Sequence, residues 1–170
     1  MKVELRTFTE EEYHEFFRAY EPDPVIDPVP FVYDPRHIAV SFRYNHDGGR
    51  DHYCHYGVFA DRRPVGSFQL KRIDSEKRRC EFGIILQNEA IRNQGIGTEA
   101  IRLGMAAARE RFDINTIIGD TMVRNRRMQR VFEKLGFHLT ERKAGAFQFP
   151  DGSVDDCLVY EKELSEDEIS

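Results

Sequence analysis

The sequence predicts an α/β domain built on one mixed, mostly antiparallel sheet with helices on both faces. Three observations carry this prediction. Between residues 56 and 87, three segments of alternating apolar residues are separated by short turn-rich links, which indicates an antiparallel meander. A helical stretch over 98–112 leads to an apolar strand over 115–123, and such a crossover makes that strand parallel to its partner. The last two strands, over 137–164, form a hairpin about "PDGS".

The residues before the meander are predicted to form one strand and two helices. "KVELRTF" alternates with period two, and Thr9 with Glu12 forms a capping-box pattern ahead of an amphipathic helix. Five of the seven prolines lie in residues 21–35, so this stretch is expected to be a long loop. Asp34 and Pro35 are typical of the N-cap and first residue of a second helix, which the "DGGR" segment is expected to end.

A last helix follows the parallel strand. Asn125 is predicted to cap it, its apolar side chains recur at helical spacing from Met128 to Leu135, and Gly136 ends it. We expect residues 1–170 to form one domain, because there is no repeat and no linker composition. The acidic residues 165–170 are expected to be a frayed tail.

Composition narrows the classes of partner and compartment. The chain has 30 acidic and 25 basic side chains and a net charge of -5, which disfavours general attraction to nucleic acid. Three widely spaced cysteines indicate neither a disulfide framework nor a zinc knuckle, and His52 and His55 lack a second ligand pair, so no metal is expected. Without an apolar signal core or a run of about 20 apolar residues, a cytoplasmic protein that does not enter a membrane is expected.

The segment "RNQGIGTEA" has the pattern of a phosphate-binding turn, and two cofactors fit it. Its glycines satisfy the dinucleotide fingerprint, and Asp120 lies where a ribose-binding acid would follow. Against a nicotinamide-dependent oxidoreductase, the preceding strands form an antiparallel meander and "NEAIRNQ" separates the last of them from the glycines. The other pattern, R/Q-x-x-G-x-G/A, places the backbone N–H groups of residues 94–98 at a helix start, where they can bind a pyrophosphate.

Three motifs in order resemble the GNAT (GCN5-related) N-acetyltransferases: "CEFGIILQ", "RNQGIGTEAI" and "NRRMQRVFEKLGF". The resemblance spans nearly the whole chain and implies a GNAT-like sheet in which one parallel strand pair splays apart at the acetyl-CoA site. It is nearest to the branch that acetylates protein N-termini, ribosomal proteins and small amines. The dinucleotide interpretation is accordingly the least favoured.

The resemblance implies three groups of residues that bind acetyl-CoA. The strand before the turn would present main-chain groups to the pantetheine arm, the turn would bind the pyrophosphate, and the last helix would contact the arm and the phosphates. The residues are, in that order, Ile84, Ile85 and Leu86; Arg92, Asn93, Gln94, Gly95, Ile96, Gly97 and Thr98; Asn125 and Lys134. Arg127 and Arg130 lie on the same polar helix face, where a solvated basic surface is the alternative.

The resemblance also implies direct transfer to an amine, which requires a base. Glu81 is the first candidate and Asp120 the second, while a strand glutamate that merely pairs with a basic neighbour is the alternative for Glu81. The family often has a tyrosine acid at the position of Phe132, so what protonates the leaving thiolate stays open. A non-catalytic acetyl-CoA-binding module is therefore the second hypothesis.

The resemblance also implies that the acceptor lies opposite the cofactor, between the proline-rich loop and the final hairpin, and both segments mix acids with aromatics. Asp27, Tyr33, Asp34 and Phe147, with Phe149 and Asp155, could hold an ammonium through charge pairing and cation-π contact, although ordinary loop composition is the alternative. The expected partner is a small or peptide primary amine, and a homodimer is a further expectation.

Overall fold

The computed structural model describes residues 1–46 and 52–165, and within them a seven-stranded sheet carries four helices. The sheet order is β1-β2-β3-β4-β5-β7-β6. The strands are β1 Val3–Arg6, β2 Cys54–Ala60, β3 Arg63–Asp74, β4 Arg79–Leu86, β5 Thr116–Met122, β6 His138–Gln148 and β7 Val154–Glu163. The helices are α1 Glu10–Arg18, α2 Pro35–His46, α3 Ile96–Phe112 and α4 Arg126–Lys134.

The strand pairings confirm the predicted mixed sheet. Strands β2, β3 and β4 form the antiparallel meander, β6 and β7 form the final hairpin, and β4 with β5 is the parallel pair. Helix α3 provides the crossover and begins at Ile96 rather than Thr98, because Gly95 in the left-handed conformation already serves as its N-cap.

Helices cover both faces of the sheet. On one face, Phe68 and Phe82 stack in parallel, and Phe68 packs so closely on α3 that a Cβ at Gly104 would lie 2.1 Å from its ring. Phe132 of α4 packs on the same face against Phe82. On the other face, α1 and α2 enclose a second apolar cluster around Phe16. The sheet is thus rigidly held wherever both faces are covered.

The predicted helix caps are present. Thr9 and Glu12 form a reciprocal capping box at α1, Asp34 Oδ1 accepts from the Arg36 N–H at the start of α2, and Asn125 Oδ1 accepts from the Met128 N–H at α4. The "DGGR" segment and residues 166–170 of the expected tail lie outside the described residues. No helix in the described part of the chain is both long and apolar enough to span a membrane.

Candidate functional site

The site is a gap in the sheet between β4 and β5. Strand β4 pairs with β3 as far as Leu86, but it pairs with β5 only from Arg79 to Glu81. The backbone of residues 82–86 therefore has no strand partner on its β5 side within the described chain. The predicted splaying of the parallel pair is present, and it leaves unpaired main-chain groups facing an opening.

Only alternate residues of β4 turn their main-chain groups to this gap. The Ile85 carbonyl lies on the β3 side, 3.0 Å from where a Cβ on Gly66 would stand. Because N–H and C=O groups alternate sides along an antiparallel ladder, those of Ile84 and Leu86 face the β5 side. Of the three residues predicted to bind the cofactor through their main chain, Ile84 and Leu86 thus turn those groups to the gap, whereas the main-chain groups of Ile85 face β3 and Ile85 lines the cavity beside the gap.

The glycine turn ends beside this opening and begins α3. Gly95 has φ +78°, and nothing lies within 4 Å of the position of a Cβ there, so open space adjoins the turn. No side chain of the described residues caps α3, which leaves the first N–H groups of the helix for an external acceptor. These donors and the positive end of the helix dipole can bind an anion.

A cavity of about 260 Å³, here called the turn cavity, lies between the glycine turn and α4. One side carries residues of the turn and the other carries basic side chains of α4. The lining includes Asn93, Gly95, Gly97, Thr98, Arg127, Arg130 and Lys134. The structure therefore brings the predicted turn and the predicted basic helix face together around one anion-sized space.

Arg92 belongs to the turn but has protein partners. Its side chain is only 9% exposed, and Nη2 donates to the carbonyls of Glu21 at 2.7 Å and Leu86 at 3.4 Å. Its Nη1 pairs with Glu89 at 3.3 Å. Arg92 thus ties the turn to the loop after α1, and its predicted pyrophosphate contact would require these bonds to rearrange. Gln94 is similarly engaged, because its side-chain amide donates to the Ala90 carbonyl.

A second cavity of about 260 Å³, the loop cavity, lies between the end of β4, α4 and the loop after α1. Asp23 and Asp27 from that loop line it together with Tyr20, and Ile84, Asn125 and Met128 line the other side. Burial, and next the charge of Asp27, raise the pKa of Tyr20. Asp27, which was predicted to bind the acceptor, thus lines a cavity of the candidate site, and so do Asp23 and Tyr20, which were not among the predicted residues.

A third cavity of about 190 Å³, the gap cavity, lies where β4 and β5 separate. Asp120 lines it from β5, Lys71 reaches it from β3, and Gly83 forms its β4 wall. Ile84, Asn125 and Met128 line both this cavity and the loop cavity, while Leu86, Gly97, Arg127 and Val131 line both the loop cavity and the turn cavity. The three cavities therefore adjoin one another in a row from the glycine turn to Asp120, and this row is here called the path.

The two predicted base candidates differ in surroundings. The Glu81 carboxylate accepts from Arg72 Nη1 at 3.1 Å on both oxygens, and it lies at the closed end of the gap, where β4 still pairs with β5. Asp120 is exposed and lines the gap cavity. Of the two carboxylates, only Asp120 lies on the path from the turn.

Three predicted acceptor residues lie away from the cavities described above. The Tyr33 hydroxyl is hydrogen-bonded to His14 Nδ1 at 2.6 Å, and Asp34 caps α2. Phe147 pairs with Asp155 in the final hairpin. Asp155 itself accepts from the Arg124 N–H at 2.8 Å, and Phe149 lies under the Arg124 guanidinium, 3.8 Å from its ring centroid. These side chains therefore form contacts within the proline-rich loop and the final hairpin. The amino-acid composition of the two segments did not indicate those contacts.

Phe132 is a core residue with a structural role. Its side chain is fully buried and stacks on Tyr160 with a centroid distance of 4.4 Å. Tyr160 is also buried, which raises the pKa of its hydroxyl, and it lies among the core residues. Neither ring lines the three cavities, so neither is placed to protonate a leaving group there.

Comparison with known proteins agrees with this geometry. The family model described as "Acetyltransferase (GNAT) domain" matches residues 2–138. This chain belongs to the GNAT acetyltransferase family. A curated relative, "Probable N-acetyltransferase YjcK" of Bacillus subtilis strain 168, is 33% identical over 91 residues, which cover 52% of this chain and 50% of the relative. The chain thus matches about half the length of that protein.

Solved structures share the GNAT fold at low identity. A chimera of Vibrio cholerae spermidine N-acetyltransferase SpeG and hSSAT superposes with a TM-score of 0.81 at 15% identity, covering 96% of both chains. The Vibrio cholerae spermidine N-acetyltransferase in complex with CoA and spermine has a TM-score of 0.78 at 16% identity, covering 95% of both chains. At these identities the likeness extends to the fold alone.

Proposed function

We propose that this chain transfers the acetyl group of acetyl-CoA to a primary amine, either of a small molecule or of a protein N-terminus. The observation that carries the proposal is the row of three adjoining cavities from the uncapped start of α3, along the opening between β4 and β5, to Asp120. The path has anion-binding groups at one end, a mostly apolar lining that also carries Asp23 and Asp27 in its middle, and Asp120 with Lys71 at the other end. That order matches phosphate, pantetheine and an attacking ammonium.

The residues along the path fit acetyl-CoA. The N–H groups at the start of α3 and the basic groups Arg127, Arg130 and Lys134 would hold the phosphates. The gap-facing main chain of Ile84 would pair with the pantetheine arm. Asn125, whose Oδ1 caps α4, would keep its side-chain amide nitrogen for that arm. When bound, acetyl-CoA supplies a thioester carbon that an amine can attack.

Asp120 is the proposed base, and the main chain of β4 the proposed oxyanion donor. The Asp120 carboxylate would accept the proton that an incoming ammonium must lose before its nitrogen can attack. The Ile84 N–H would donate to the oxygen on which negative charge develops. Glu81 would need to leave Arg72 to compete for the same role. A thiol with a pKa near ~8.5 can leave as thiolate, so a tyrosine acid is dispensable at the position of Phe132.

Two observations support a primary amine as the acceptor. The loop cavity adjoins the gap cavity, and its Asp27 would attract an ammonium, whereas the Asp23 carboxylate lies 3.9 Å from Arg127. A fold neighbour is described as a spermidine N-acetyltransferase bound to spermine, and another structure of that enzyme is described as dodecameric. A cytoplasmic location and a homodimer remain predictions for this chain.

Release of free CoA thiol from acetyl-CoA, measured over a panel of polyamines, amino acids and N-terminal peptides, tests the proposal. We expect turnover of at least one primary amine and no turnover of the form in which every primary amine is acetylated, which is the matched control. Tight CoA binding by calorimetry without turnover of any amine would instead favour a non-catalytic acetyl-CoA-binding module.

A further inference from the structure

A lysine side chain lies where an acceptor amine would have to arrive. Lys71 is on β3 and pairs across the ladder with Glu81. Its Nζ lies 3.7 Å from the position that a Cβ on Gly83 would occupy, which is over the wall of the gap cavity. The same cavity is lined by Asp120 from the opposite strand. An amine and a carboxylate thus flank one opening.

Neighbouring side chains leave this amine unpaired. Glu81, its cross-strand partner, is engaged by Arg72 at 3.1 Å. Among residues 1–46 and 52–165, no hydrogen bond or ion pair holds Lys71 Nζ, and the side chain is half-buried. The Oε1 atom of Gln69 lies 3.3 Å from the same Cβ position on Gly83, so a side chain larger than glycine would enter the space beside both groups. Glycine at position 83 therefore leaves the space beside Lys71 Nζ and Gln69 Oε1 open.

The gap cavity is also the end of the proposed acetyl-CoA path. It shares Ile84, Asn125 and Met128 with the loop cavity, through which the pantetheine arm would run. A thioester delivered past these residues would reach the cavity that Asp120 and Lys71 line. Holding a nucleophile beside a bound thioester replaces a bimolecular encounter with an intramolecular one.

We propose that Lys71 is acetylated by the protein's own bound acetyl-CoA. The inference rests on the proposed function, because it uses the same donor and the same base. The Lys71 ammonium gives one proton to the Asp120 carboxylate, and the neutral Nζ attacks the thioester carbon. The carbon–sulfur bond breaks and the CoA thiolate leaves, while Nζ loses its second proton as the amide bond forms and the thiolate takes up that proton.

Acetylation would change the charge of the acceptor opening. An ammonium beside Asp120 opposes a cationic acceptor, and its conversion to a neutral amide removes that opposition. The modified protein should therefore accept cationic amines with a lower KM than the unmodified protein. The Lys71→Gln variant should resemble the modified form, and Lys71→Arg should resemble the unmodified form.

The direct test incubates the full chain with acetyl-CoA and no acceptor, and follows acetylation of each lysine by peptide mass spectrometry. Lys77 is the matched control, because it lies on the same hairpin, is exposed and lines none of the three cavities. Lys71 should be acetylated about tenfold faster than Lys77 or more. Equal rates at the two lysines, or no acetylation of Lys71, would overturn the inference.

Two further measurements separate this inference from the proposed function. CoA, which cannot donate an acetyl group, should protect Lys71 but not Lys77 from labelling by acetic anhydride, and failure to protect would place Lys71 outside the path. Asp120→Asn should slow Lys71 acetylation and leave that of Lys77 unchanged. Amine turnover by a protein whose Lys71 stays unmodified would contradict self-acetylation alone, whereas absence of both amine turnover and protection by CoA would contradict the proposed function.

Discussion

The two sides of the candidate site are built differently. The donor side, which comprises the end of β4, the glycine turn and α4, consists largely of main-chain groups and helix termini whose geometry follows from local sequence. The acceptor side, which comprises the loop after α1 and the gap-facing side chains of β3 and β5, consists of side chains that distant segments bring together. A donor site of backbone groups tolerates sequence change around its glycines, whereas an acceptor site of side chains can be altered one residue at a time.

The largest expected effect comes from the acceptor side, at Asp120. Asp120→Asn removes the proposed proton acceptor, and kcat for the best amine should fall by about 10²–10⁴-fold because general-base catalysis is lost. The KM for acetyl-CoA should change little. Initial rates across a pH series are the measurement.

Glu81→Gln is the matched comparison for Asp120→Asn. It removes the carboxylate paired with Arg72, and its effect on kcat should be far smaller. If Glu81→Gln abolished turnover and Asp120→Asn did not, Glu81 rather than Asp120 would be the general base.

On the donor side the most sensitive position is Gly95. Its φ of +78° costs a residue with a Cβ about 1–2 kcal/mol, so Gly95→Ala should raise the Kd for CoA by about tenfold. Gly145→Ala is the control, because Gly145 also has a positive φ, of +62°, and open space around it, but lies in the distal hairpin. Calorimetric titration with CoA distinguishes them, and equal Kd values for the two variants would contradict the role of the turn.

The basic face of α4 should have a smaller effect that depends on salt. Lys134→Gln should raise the Kd for CoA several-fold, on the order of 1 kcal/mol, and the difference should shrink as ionic strength rises. Arg126→Gln is the control, because Arg126 is exposed on the same helix and does not line the turn cavity. An equal loss in both variants at every salt concentration would mean that α4 contributes only general charge.

The contrast between the donor side and the acceptor side also explains which parts of the fold and the site could be predicted from sequence. The meander, the crossover, the hairpin and the caps at Thr9 and Asn125 follow from local periodicity and capping chemistry, and the structure confirms them. Tyr33, Asp34 and Asp27 were all predicted from the same loop of acidic and aromatic residues. In the structure, however, the Tyr33 hydroxyl bonds to His14 and Asp34 caps α2. Only tertiary packing decides which acid or aromatic of a loop lines a cavity. Lys71 carried no local signal, because its place at the gap cavity depends on how β3, β4 and β5 pair.

Within the acceptor loop, Asp27 and Asp34 should respond in opposite ways. Asp27→Asn should raise the KM for a cationic amine a few-fold, on the order of 1 kcal/mol for an exposed charge pair, and leave Tm almost unchanged. Asp34→Asn keeps a good capping residue and should change neither Tm nor KM appreciably. Asp34→Ala should lower the free energy of unfolding by about 1 kcal/mol and leave KM unchanged. Steady-state kinetics paired with thermal melts test this, and a raised KM in Asp34→Ala would bring that residue back to the acceptor site.

The smallest effect lies outside the site, at the capping box of α1. Arg6 hydrogen-bonds the Glu12 carboxylate, and the Thr9 N–H adds a further bond, so that the pKa of Glu12 falls from 4.5 to about 2. A lowered folded-state pKa stabilises the fold above the unfolded pKa, and this contribution is lost as pH falls from about 5 towards 2. Glu12→Gln should lower Tm at pH 7 by about 2–4 °C, and the difference from wild type should shrink towards pH 3. The exposed Glu11→Gln serves as control, and an equal shift in both variants at pH 7 would contradict the specific pairing with Arg6.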